Sequence, residues 1–161
     1  MTKPRFDKAF TQQEAIPQDG IDAAVKLLHT GRLHRYNTIS GETAAAAVLE
    51  KEFAAHMGQR YCLACTSGGY ALHIALKAAG IKAGEPVLSN AFTLAPVPGA
   101  IDNAGGKPVL VEIDANYCVD LDHLETQMRH SGARFFMLSH MRGHIADMDA
   151  IIQAINDGHV Y

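Results

Sequence analysis

The residues at 65–80 read CTSGGYALHIALKAAG, and their first half holds the clearest chemical signal in the chain. Two hydroxyls, Thr66 and Ser67, stand beside two glycines, Gly68 and Gly69, where an apolar run gives way to helical spacing. The start of a helix carries amides without intrahelical acceptors and a partial positive charge. Glycines there let an oxyanion approach the backbone, and hydroxyls add hydrogen bonds. The chemistry on offer is the holding of a phosphate. The run is neither G-x-G-x-x-G nor a Walker A sequence, because no lysine follows the glycines. A helix N-cap with glycines for packing accounts for the same residues.

Three further runs carry polar groups at the ends of apolar segments: SNAFT at 89–93, EID at 112–114 and SHMRGH at 139–144. His140 and His144 are four apart but straddle Gly143, and no third ligand is evident, so a metal is a minor option. His140 reads as a hydrogen-bonded structural histidine that is also placed to line a pocket. Arg142 either meets an acidic substrate or is solvated. Cys62 and Cys65 make a C-x-x-C, but in a strand these positions face opposite sides. With Cys118 they read as buried, inert thiols rather than a disulfide framework or a zinc site.

These residues need elements to position them. Residues 1–20 read as an irregular arm, and 21–161 as the domain proper. Helical spacing covers 21–29, closed by Gly31, and a strong Ala-rich helix follows within 42–58, with Thr38 or Ser40 as candidate caps. From residue 60 the chain alternates. Strands are expected at 60–65, 86–90, 108–113 and 133–140, and helices at 68–79, 95–106, 121–130 and 146–156. GHVY at 158–161 begins one more strand. Apolar strands alternating with helices predict an α/β fold, with a mostly parallel sheet and helices on both faces. Ligands bind such sheets at the carboxyl ends of their strands, where the polar runs fall.

Composition agrees with a globular domain: 161 residues, 48% hydrophobic and 19% charged. A net charge of −3 argues against a nucleic-acid or anionic-membrane surface. No apolar run is long enough for a membrane span, and the first residues show no secretory leader, so a cytoplasmic location is the default.

Several segments, in order, resemble the DegT/DnrJ/EryC1/StrS family, the sugar aminotransferases of pyridoxal-phosphate fold type I. LHTGRL and VLEKEFAAHMGQRYCLA are similar to its opening. TSGGYALHIALKAAGIKAGEPV is similar to its S-S-G-T-A-A-L junction and the G-x-G-D-E-V turn that follows. AFTLAPVPGAIDNAGGKPVLVEID and SHMRGHIADMDAI match later blocks. The resemblance spans roughly 21–161 and implies an incomplete large domain of a fold type I enzyme. It implies pyridoxal 5'-phosphate (PLP) as cofactor, a nucleotide-linked keto sugar and an amino donor as substrates, and a homodimer. It places Ser67, Gly68 and Gly69 at the cofactor phosphate, Leu94 against the pyridine ring and His140 at the pocket edge.

The chain also departs from the family. Gly69 stands where a threonine is usual, and Leu94 where an aromatic ring stacks. Both changes suggest a divergent subgroup. The family's E-D-x-A, whose aspartate pairs with the pyridine nitrogen, and its Schiff-base lysine would follow Tyr161. None of the seven lysines, at 3, 8, 26, 51, 77, 82 and 107, matches the latter. No catalytic residue is therefore assigned. The chain reads as a fragment or an early-terminated frame with an incomplete sheet edge, inactive alone. The alternatives are a non-catalytic α/β module that binds an anion or a partner protein, and an unrelated phosphate-binding domain.

Overall fold

The computed structural model describes residue 11 and residues 13–158. The chain divides into two compact units, Met1–Ala64 and Cys65–Tyr161.

The first unit holds two helices, α1 (Gln18–Thr30) and α2 (Ala45–His56). Helix α1 begins three residues before residue 21, directly after Pro17. It closes on Gly31 at φ 66°, whose N–H donates to the carbonyl of Leu28. Neither Thr38 nor Ser40 caps α2, which starts behind Ala44 without a side-chain cap. The intervening turn is organised by Glu42 instead. Its carboxylate takes the Arg32 guanidinium through two bonds of 3.0 and 2.9 Å and the N–H of Ile39 at 3.2 Å. Arg32 holds the Glu42 carboxyl below the ordinary carboxylate range.

The strand expected at 60–65 does not form; residues 61–65 are irregular. The Ala64 N–H, which would enter a ladder, donates to the Glu50 carboxylate at 2.8 Å, and Glu50 also pairs with Arg35. Cys62 and Cys65 are therefore not on opposite faces of a strand. They and Cys118 are half-buried rather than buried, and none forms a disulfide.

The second unit carries the α/β fold. Helix α3 (Gly68–Ala78) leads into β1 (Pro86–Asn90), α4 (Pro96–Asn103) and β2 (Lys107–Val111). Helix α5 (Leu121–Ser131), β3 (Phe135–Met137), a 3-10 turn (Met141–Gly143) and α6 (Met148–Gly158) follow. The last helix takes up Gly158, and the strand expected from there lies outside the described residues. The strands are parallel in the order β2-β1-β3, with Leu88 opposite both Val109 and Phe136.

The crossover from β1 to β2 and the one from β2 back across β1 to β3 run in opposite directions, so right-handed connections place α4 and α5 on opposite faces. Side chains alternate along β1 accordingly. Val87 packs with Leu76, Ile81, Ile101 and Ala104, from α3, α4 and the turns at their ends. Leu88 packs with Val111, Leu124, Met128 and Ile151, on the side of α5 and α6. Both are fully buried.

Two contacts secure the amino end of the sheet. Glu85, ahead of β1, accepts from Arg134, ahead of β3, at 2.6 Å, and from the Lys82 N–H at 2.8 Å. Arg134 and then this amide hold the Glu85 carboxyl below its ordinary value of 4.5. Gly106 lies where α4 turns into β2. A Cβ there would sit 2.5 Å from Ile81 Cδ1 and 3.2 Å from both the Glu85 carbonyl and Ile101 Cγ2. Among the described residues, no helix is long and apolar enough to cross a membrane.

Two outcomes follow. Gly106→Ala should destabilise the protein by roughly 1–3 kcal/mol in urea unfolding, the usual cost of forcing a methyl into a packed core. Glu85→Gln should lower stability at neutral pH. A carboxyl with a depressed folded pKa stabilises above its unfolded pKa and loses that contribution as pH falls through the folded value. The gap between variant and wild type should therefore close below pH 4.5, which thermal melts across the acid range would show.

Candidate functional site

Helix α3 starts as its sequence requires. Ser67 is extended, at φ −160° and ψ 158°, and its Oγ accepts the Tyr70 N–H at 3.1 Å. Its carbonyl accepts the Ala71 N–H at 3.0 Å. Ser67 is thus an N-cap, and its hydroxyl proton remains available to a ligand. The amides of Gly68 and Gly69 precede the first intrahelical bond, and no acceptor takes them among the described residues. A Cβ on Gly68 would meet nothing within 4 Å, while one on Gly69 would touch Pro96 Cβ at 3.5 Å.

Beside this turn lies an open hollow of about 470 Å³ between α3 and α4. Ser67, Gly69, Tyr70 and His73 form one wall, and Pro96, Gly99, Ala100 and Asn103 the other. Tyr70 and His73 stack one helical turn apart, with centroids 5.9 Å apart and planes 9° from parallel. Unpaired amides, the positive end of a helix dipole, an available hydroxyl proton and room beside them fit a phosphate group.

The hollow gathers Ser67 and Gly69, with Gly68 between them in the chain, but neither Leu94 nor His140 lines it. Leu94 is 58% exposed on the loop after β1. His140 is exposed at the head of the turn after β3. Their loops are nonetheless joined. Asn90, 1% exposed at the end of β1, donates from Nδ2 to the carbonyls of Phe92 at 2.9 Å and Ser139 at 3.0 Å. Its Oδ1 accepts the Ser139 N–H at 2.9 Å. Thr93 adds a hydroxyl bond to Ser139 at 2.8 Å. The residues next to Leu94 and His140 are thereby bound to each other at the carboxyl edge of the sheet.

The sequence reading misses this role of Asn90, although a polar residue closing a buried strand is a usable signal. It also misses Tyr70 as a wall of the hollow. His140 and His144 flank a turn whose central residue, Arg142, has left-handed backbone at φ 54°. Among the described residues, no three histidines, cysteines or carboxylates gather as a metal site would require.

The model of the DegT/DnrJ/EryC1/StrS aminotransferase family matches residues 20–160. The chain belongs to that family. DegT/DnrJ/EryC1/StrS aminotransferases are PLP-dependent. Membership removes the unrelated phosphate-binding domain from consideration. The chain is 36% identical over 104 residues to a pleiotropic regulatory protein of Geobacillus stearothermophilus, covering 64% of this chain and 28% of that protein. It is 34% identical over 105 residues to GDP-perosamine synthase of Caulobacter vibrioides, covering 65% of this chain and 28% of that one. The crystal structure of 3-amino-5-hydroxybenzoic acid synthase shares the fold at a TM-score of 0.76 and 30% identity, over 95% of this chain and 38% of that one. The chain therefore spans well under half the length of the proteins it matches.

Truncating the Asn90 side chain should test the clamp. Asn90→Ala leaves half-buried backbone groups of Phe92 and Ser139 without these partners and should cost roughly 1–3 kcal/mol in denaturant unfolding. Deuterium exchange should rise in the loops after β1 and β3 before it rises in the strands.

Proposed function

We propose that this chain binds PLP by its phosphate at the start of α3, as part of an aminotransferase that acts on a nucleotide-linked keto sugar. The observation that carries this reading is the pair of unbonded amides at Gly68 and Gly69 beside an open hollow. Their N–H groups and the Ser67 hydroxyl proton would hold the phosphate oxygens, aided by the helix dipole. Gly69, in place of a threonine, contributes its amide alone. Leu94 would offer an apolar surface to the pyridine ring without ring overlap, and His140 would line the same edge.

Bound there, PLP would supply an aldehyde carbon that takes up the amino group and a ring that accepts electrons. The chain's own residues bind and orient it. No lysine among the described residues lines the hollow, and we assign no catalytic residue in this chain. GDP-perosamine synthase among the relatives supports the nucleotide-linked substrate. The proposal includes the homodimer that the resemblance implies and a cytoplasmic location.

The test is a charge at the helix start. Gly68→Asp places a carboxylate where a Cβ meets nothing within 4 Å and where the helix dipole favours it, so the fold is kept. It should weaken PLP binding at least about tenfold through like-charge repulsion, whereas Gly68→Ala should not. The 31P signal of the cofactor and its absorbance report binding without turnover. Equal binding to wild type and Gly68→Asp would sink the proposal.

A further inference from the structure

One aromatic ring comes from each of the loops that follow the three strands. Phe92 follows β1, Tyr117 follows β2 and His144 follows β3. The centroids of Phe92 and Tyr117 are 5.2 Å apart with planes tilted by 44°. Those of Tyr117 and His144 are 5.5 Å apart and tilted by 54°. Tilted contacts at these separations are favoured over face-to-face stacking and restrain the rings. Tyr117 is the middle ring of the group, yet it is 53% exposed. It is held by its neighbours and still open to the space above the carboxyl edge.

The backbone at Tyr117 is left-handed, at φ 63°. A bulky residue enters that region at a cost, and glycine or asparagine would occupy it more cheaply. The surrounding turn enforces the conformation. Asp114 Oδ1 accepts the N–H of Asn116 at 2.8 Å and of Cys118 at 3.0 Å. The Asp114 N–H donates to the Cys118 carbonyl at 2.8 Å, and Ile113 bridges Val119 across the neck of the turn. The turn gains nothing from a tyrosine here; the ring itself does, because this geometry sets it against Phe92 and His144 at the edge where parallel sheets bind ligands. An exposed phenol restrained by its neighbours offers a flat apolar face and a polar tip. That combination suits the C–H face of a pyranose ring, whose hydroxyls reach outward for hydrogen bonds.

We propose that Tyr117 is a specificity-determining residue whose ring receives the C–H face of the substrate's sugar. This inference rests on the reading of the chain as part of a sugar aminotransferase, and it names where the sugar sits.

The test uses the 161-residue chain, with tyrosine rings labelled for NMR and Tyr117 assigned by its loss in Tyr117→Gly. Glycine accepts the left-handed backbone, so the turn survives that substitution. UDP-glucose and GDP-mannose should shift the Tyr117 ring signals, and UDP or GDP alone should not. Tyr117→Gly should weaken binding of the sugar nucleotides about five- to tenfold, and Tyr117→Phe should largely retain it. No sugar-dependent shift in the wild type, equal shifts with the bare nucleotides, or unchanged affinity in Tyr117→Gly would each overturn the proposal. The cofactor's 31P signal in the same samples reads the α3 site separately. Sugar-dependent shifts in a chain that binds no PLP would support Tyr117 while sinking the cofactor reading, and the converse pattern would do the opposite.

Discussion

The carboxyl edge of this sheet hangs on one buried amide. Asn90 ends the central strand with its side chain sealed from water, and three hydrogen bonds tie it to Phe92 and Ser139. A buried amide is tolerated only when its donors and acceptor are used, and here both amide protons and the oxygen are engaged. The two bonds to Ser139 span 49 residues of sequence, so the clamp joins two loops that local structure alone would leave independent. Everything placed on those loops inherits that constraint, including Leu94, His140 and the two rings beside Tyr117, Phe92 and His144.

The start of α3 works by a different economy. Ser67 satisfies one orphan amide and leaves those of Gly68 and Gly69 open. Capping and the proposed phosphate binding are therefore compatible in one arrangement rather than competing explanations of the same residues. The cap sets the helix direction, and the remaining amides give that direction a charge. Glycine at 68 and 69 keeps side chains out of the space where an anion would lie, and Gly99 and Ala100 do the same on the facing helix.

Much of the second unit is legible along the chain because its signals are local. Leu72 and Leu76 repeat at helical spacing, and α3 ends just before Gly80. Asp120 precedes α5 and caps it through the His123 N–H at 2.9 Å. Apolar strands between helices imply the parallel sheet and its two covered faces. The run at 60–65 misleads because an apolar stretch reads alike with or without a partner strand, and here a glutamate side chain takes the amide that pairing would use. The Asn90 clamp and the three-ring contact were out of reach because their members are far apart in sequence. The left-handed turn at Tyr117 was hidden for another reason, since its residue type argues against the conformation it adopts.

Val87 and Leu88 are adjacent, yet each is buried in a different core. Of the three strands, β1 alone gives a fully enclosed side chain to both. The two helical layers are thereby mechanically coupled through a single peptide segment. Loosening either layer exposes the strand on which the other is seated. Residues 65–158 should then melt as one cooperative body, with the amides of β1 the last to surrender their protons to solvent.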